Sequence, residues 1–175
     1  MEYSAKRVYQ NKDIVSKYDK ERFKSLKGSL MHKMELGLIC KALKFAKVIP
    51  PATILDIPCG TGRLSIHLAQ KGFKISAMDI SQEMISYSKE KIRAINLVNE
   101  VIIEVGNAES LPYSDNCFDV CISLRLFGHM PPKVRKKILL ELKRVTKKYL
   151  ILTYYYKNCL QSFFRRRKRD KRQIE

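Results

Sequence analysis

From Ala52 onward, short apolar runs alternate with segments whose apolar residues return every three or four positions. The runs predict strands over residues 52–57, 73–79, 100–105, 118–124 and 148–155. The periodic segments predict helices over 62–71, 81–95 and 131–146. Ser81 is a good N-cap for the second of these helices, with Glu83 in its first turn. Between strands three and four, Leu111-Pro-Tyr-Ser-Asp-Asn116 is a turn-rich loop too short for a full helix. Such alternation predicts an α/β fold: a Rossmann-like, doubly wound, mostly parallel sheet in the order 3-2-1-4-5 with right-handed crossovers.

Upstream of this pattern, Leu36, Ile39, Cys40, Leu43 and Ala46 recur at helix spacing, and Pro50-Pro51 is expected to end that helix. Residues 1–50 read as a helical N-terminal cover, 51–156 as the core, and 157–175 as a basic tail, within one domain overall. A chain of 175 residues with 45% hydrophobic content has enough apolar material for one core. It holds no window of about 18 apolar residues, and residues 1–10 hold no apolar run of the secretory kind, so the expected location is the cytoplasm. The five cysteines are odd in number and lie mostly in apolar segments, which suits reduced thiols. Cys117 and Cys121 point to one side of a strand without a second Cys or His pair, so no metal is expected.

The net charge of +18 is unevenly spread. Twelve basic against five acidic residues give +7 over 1–50, and seven against nine give −2 over 51–132. Eight against one give +7 over 133–148, and eight against two give +6 over 149–175. A slightly acidic core between basic flanks suggests an anionic partner, whether RNA, a membrane surface or a phosphorylated lipid, or else a merely solvated surface.

The chemistry centres on Ile54-Leu-Asp-Ile-Pro-Cys-Gly-Thr-Gly-Arg-Leu64, a strand that feeds a helix through Gly60 and Gly62. That is the opening of a nucleotide-type βαβ unit. A dinucleotide places its pyrophosphate on the helix N-terminus, where a nearby acid repels it. Asp56, four residues before Gly60, instead suits a cofactor with positive groups and no phosphate, which describes S-adenosylmethionine with its sulfonium and ammonium. Ser65 occupies the third-glycine position of a dinucleotide fingerprint, so spacing alone leaves both cofactors open. Asp79 follows Gly60 by 19 residues, at a strand end where an acid can accept hydrogen bonds from ribose hydroxyls. An Asp in such a place is more often a cap or turn residue; the order and spacing of the set carry the reading.

The segments Leu55-Asp-Ile-Pro-Cys-Gly-Thr-Gly-Arg63, Met78-Asp-Ile-Ser-Gln-Glu-Met84, Gly106-Asn-Ala-Glu-Ser-Leu-Pro112 and Phe118-Asp-Val-Cys-Ile-Ser-Leu124 resemble the successive motifs of class I S-adenosylmethionine-dependent methyltransferases. The nearest group is the small-molecule type that includes the quinone-biosynthesis enzymes, and the resemblance runs from about Tyr18 to Tyr156. It implies that Asp56, Gly60 and Gly62 hold the methionine part and Asp79 the ribose. It further implies that Ile80 and Met84 pack on the adenine, with Asn107, Ala108 and Glu109 at its edge. Leu124 and Arg125 would border the methyl group and the substrate, and Tyr18 and Arg22 would close over the cofactor or else simply dock a helix.

Three departures accompany the likeness. Pro58 replaces the first glycine of the motif, and Asn107 stands where an aspartate is common. The third is an expectation about the sheet. The family ends with an antiparallel hairpin beside strand five, which the 19 residues after Tyr156 are too few to supply. Strand five is therefore expected to be an apolar edge, covered by a homodimer, the tail or a partner.

The function expected from these readings is methyl transfer from S-adenosylmethionine to a small-molecule or lipid-like acceptor. His129, after strand four, is the candidate general base, set against a loop histidine satisfied by its neighbours; His32 and His67 receive no role. The competing readings are a cofactor-binding pseudo-enzyme and a basic RNA-associated protein or RNA methyltransferase. A dehydrogenase is weaker, given Asp56.

Overall fold

The computed structural model describes Tyr18 and residues 25–154. Helix α1 spans Leu26–Phe45, opened by Ser25, whose hydroxyl accepts from the Gly28 N–H at 3.1 Å. It stops before the prolines expected to end it. Lys47 is left-handed (φ 53°), the Val48 N–H donates to the Leu43 carbonyl at 2.9 Å, and the Lys47 N–H donates to Lys44 at 3.0 Å. This Schellman pattern satisfies the last carbonyls and brings buried Val48 against buried Leu43, so the helix is already closed at Ala46.

The alternating core follows: β1 Thr53–Asp56, α2 Arg63–Ala69, β2 Lys74–Asp79, α3 Gln82–Ala94 and β3 Val101–Val105, then β4 Phe118–Ser123, a 3-10 turn Phe127–His129, α4 Pro132–Val145 and β5 Thr146–Leu152. The sheet order is β3-β2-β1-β4-β5, and every pair is parallel. β5 begins and ends earlier than the 148–155 expected. α4 passes into it without a loop, Thr146 serving both as helix C-cap and as the first strand residue, which moves the strand back two positions.

Strand alternation sorts the core into two layers. Ile54, Ile75, Ala77, Val120 and Ile122 face α1, α2 and α3 through Ile39, Leu43, Leu64, Leu68, Ile85 and Ile92. Leu55, Met78 and Cys121 point the other way, onto Val134, Ile138, Leu142 and Val145 of α4. Helices on both faces of a parallel sheet make the doubly wound α/β architecture.

Asp56 lies opposite Ala77 of β2 and Ile122 of β4, so the carboxyl ends of these strands are level. The order reverses between β1 and β4, and the crevice above that switch point is where such sheets bind ligands. Among the described residues β5 pairs only with β4, leaving Tyr149 and Leu152 partly exposed at its edge. The expected tail, 157–175, lies outside the described residues, as do most of 1–24. No helix among those described is long and apolar enough to cross a membrane.

Candidate functional site

The turn after β1 is held from three sides. The Ile57 N–H donates to the Ile122 carbonyl at 3.0 Å, continuing β1 along β4. After a cis Ile57–Pro58 peptide, the Cys59 N–H donates to Met78 at 2.9 Å, drawing the chain over the end of β2. Gly60 (φ 53°) and Gly62 (φ 71°) are both left-handed, a region glycine enters freely. α3 secures the turn from above: the Ser88 hydroxyl donates to the Gly60 carbonyl at 2.8 Å and Lys91 Nζ to the Thr61 carbonyl at 2.9 Å. A Cβ on Gly62 would stand 3.1 Å from Ser88 Oγ, whereas one on Gly60 would meet nothing within 4 Å. The space before Gly60 is therefore the approach left for a ligand.

Two buried carboxylates end the strands beside this turn, Asp56 on β1 and Asp79 on β2. Asp79 is 7% exposed; its Oδ2 accepts from the Gly60 N–H at 2.9 Å and its Oδ1 from the Ser81 N–H at 3.0 Å. A carboxylate has about four acceptor sites, so the backbone N–H groups around Asp79 leave it room for a hydroxyl donor. Burial raises the Asp79 pKa, and the backbone N–H groups of Ser81, Gly60 and Ile80 oppose that rise. Asp56 is 1% exposed and takes a 2.6 Å hydrogen bond from Ser65 Oγ. Burial pushes its pKa up to about 7; the Ser65 bond opposes the rise and the Asp79 charge adds to it. Two acids buried side by side favour any arrangement that brings positive charge to them.

The other predicted residues occupy the following places among the described residues. Ile80 is half-buried and Met84 buried where α3 begins, the Met84 N–H being capped by Ser81 Oγ at 3.1 Å. Gly106 donates its N–H to the Asp79 carbonyl at 2.9 Å, which sets the 106–110 loop beside the end of β2. Asn107 is exposed, and its amide oxygen accepts from the Glu109 N–H at 3.0 Å rather than standing open. Ala108 is half-buried, and Glu109 meets Lys137 of α4 at 3.7 Å. Pro58 is half-buried within the turn, and Leu124 packs partly buried against the core layer of α1–α3.

Arg125 has a left-handed backbone (φ 61°), and its N–H donates to Thr153 Oγ1 at 2.7 Å. Its guanidinium forks onto Glu35 of α1, with Nε to Oε1 at 2.8 Å and a second bond to Oε2. The cover helix is thus tied to the segment just past β4. Tyr18 is half-buried, while Arg22 lies outside the described residues. His129 closes the 3-10 turn, and its side chain is outside those described.

Sequence reasoning assigns no site role to Ser65, Ser88, Lys91 or Glu35. Ser65 and Ser88 carry a signal all the same: each is a serine on the otherwise apolar buried face of its helix, where a hydroxyl needs a partner. Ser123, at the carboxyl end of β4, is also fully buried, and its hydroxyl has no hydrogen-bond partner among the described residues.

A parallel sheet whose β1 and β2 end in buried acids beside a glycine turn has the architecture of the nucleotide-type binding folds. The family model described as "Methyltransferase domain" matches residues 54–149, and the chain belongs to that family. Norajmaline N-methyltransferase of Rauvolfia serpentina is 31% identical over 134 residues, covering 71% of this chain and 45% of the relative. A ubiquinone/menaquinone biosynthesis C-methyltransferase of Klebsiella pneumoniae is 36% identical over 98 residues, 54% of this chain and 38% of that one. The chain thus spans less than half the length of these two curated relatives. A solved S-adenosylmethionine-dependent methyltransferase from Methanosarcina mazei is 33% identical, with a TM-score of 0.61 over 66% of this chain and 58% of the other.

Proposed function

We propose that this chain binds S-adenosylmethionine over the β1–β4 switch point and transfers its methyl group to a small-molecule or lipid-like acceptor. The observation that carries the reading is the pair of buried acids beside the glycine turn, Asp56 at the end of β1 and Asp79 at the end of β2. A dinucleotide would bring phosphate charge to two carboxylates; S-adenosylmethionine brings a sulfonium and an ammonium. Family membership and the Methanosarcina likeness support the same cofactor, and the quinone-biosynthesis relative supports an apolar acceptor.

The cofactor supplies an electrophilic methyl group, so the protein's work is to bind, orient and exclude water. Asp56 serves the methionine end through its charge, with Ser65 holding the carboxylate in place. Asp79 orders the turn through Gly60 and has lone pairs left for the ribose. Ile80 and Met84 offer apolar contact to the adenine. On the acceptor side, Leu124 and Arg125 form the wall beside β4. His129 is the candidate for removing a proton where the acceptor is a hydroxyl or an amine.

Incubating the whole chain with methyl-labelled S-adenosylmethionine and a total cell extract tests the reaction. Label is expected in the organic-solvent fraction. Label in RNA would instead favour the RNA methyltransferase reading, and cofactor binding without label in any fraction would favour a binding module.

A further inference from the structure

The outer side of α4 is a surface the methyl-transfer reading does not use. Val134, Ile138, Leu142 and Val145 face the core. Opposite them, Lys133, Lys136, Leu140 and Lys143 follow at helix spacing, all exposed, with Leu140 58% exposed between the lysines. This line runs about 15 Å along the helix. Its first lysines lie at the end of α4 that follows β4, on the side of the ligand rim, where Lys137 already meets Glu109. Lys133, Lys136 and Lys143 make no ion pair with any described residue.

The two arginines of α4 are engaged internally. Arg135 donates to the Met130 carbonyl at 2.7 Å and to Tyr154 Oη at 2.8 Å. Arg144 bonds Glu141 and Asp115 and also donates to the carbonyls of Leu111 and Tyr113. The planar forks suited to bidentate recognition of phosphate or base edges are therefore already occupied by partners within the chain. Along the line itself the outward charge is lysine, which has no fixed geometry, around an exposed leucine; none of its four residues is aromatic, and the exposed Tyr154 is already covered by Arg135. That combination matches a fluid anionic surface better than a nucleic acid.

We propose that this face of α4 seats the protein on an anionic lipid membrane, with Lys133, Lys136 and Lys143 on the headgroup phosphates and Leu140 entering between them. The proposal is independent of which molecule is methylated. It places the ligand rim beside the bilayer through the lysines nearest Glu109.

The test is sedimentation of the full chain with vesicles of phosphatidylcholine alone and of phosphatidylcholine containing roughly a quarter phosphatidylglycerol, at about 0.1 M salt. Preferential binding to the anionic vesicles is expected. The K133Q/K136Q/K143Q variant leaves the Arg165–Arg169 run untouched. Its partition coefficient should fall about a hundredfold, from about fivefold for each lysine. Leu140→Ser should lower it about fivefold with charge unchanged. Both variants should melt as the parent does. A triple variant that partitions like the parent would overturn the proposal. So would a parent chain that ignores anionic vesicles but binds an RNA oligonucleotide through these same lysines.

Discussion

Asp56 makes the site's electrostatics measurable through pH. Its pKa is pushed from an ordinary 3.8 up to about 7, chiefly by burial. The fold therefore favours the neutral acid. That contribution to stability is fully present below pH 4 and is lost as pH rises through 7. Roughly three pKa units correspond to at most about 4 kcal/mol, which for a chain of this length is about 8–16 °C in melting temperature. The Asp56→Asn variant keeps an acceptor for Ser65 Oγ and removes the titration. With cofactor absent, the variant should melt progressively higher than the parent as pH rises from 5 to 8. S-adenosylmethionine should reverse the order, because its positive groups stabilise the ionised Asp56 and gain nothing from the neutral amide of the variant. Thermal melts of both proteins across that range, with and without cofactor, give the comparison. A parent-minus-variant difference that stays flat between pH 5 and 8 would refute the assignment of a buried acid titrating near 7.

Three further changes probe the supports. Ser65→Ala removes the bond that opposes the rise in the Asp56 pKa. The midpoint of the pH-dependent melting should move upward by about 1–2 units, the equivalent of a hydrogen bond to a charged group. Gly106→Ala drives a Cβ into Met78 Sδ in the buried layer; denaturant titration should record a loss of about 1–3 kcal/mol. Glu35→Gln takes the carboxylate from the half-buried Arg125 guanidinium. A loss of about 1–3 kcal/mol, accompanied by faster tryptic cleavage at Arg125, is the expected result; unchanged protection would mean that the pair does not hold α1 in place.

The strand order and the glycine turn are legible because both follow from local signals. Buried parallel strands read as short apolar runs, and left-handed turns favour glycine, here at Gly60 and Gly62. The end of α1 is easily misread because two prolines are a conspicuous stop, whereas the Schellman closure depends on Lys47 adopting a left-handed backbone that its side chain does not advertise. The junction at Thr146 is misplaced for a related reason: loops are normally expected between a helix and a strand, and none is present. The Glu35–Arg125 pair joins residues 90 positions apart, and no periodic pattern marks it. The Asn107–Glu109 turn is equally silent in the pattern: the amide oxygen accepts from the Glu109 N–H two residues on, a local bond that apolar periodicity does not mark.

Direct titration of the whole chain with S-adenosylmethionine by calorimetry, beside Asp79→Ala, tests the central claim. Asp79 joins Gly60 to Ser81 at the end of β2 and has acceptor capacity left for a hydroxyl, so the parent should bind one equivalent and the variant at least about tenfold more weakly, a loss of about 1.4 kcal/mol or more. No heat with the parent, or equal affinity in a variant that still melts cooperatively, would contradict it.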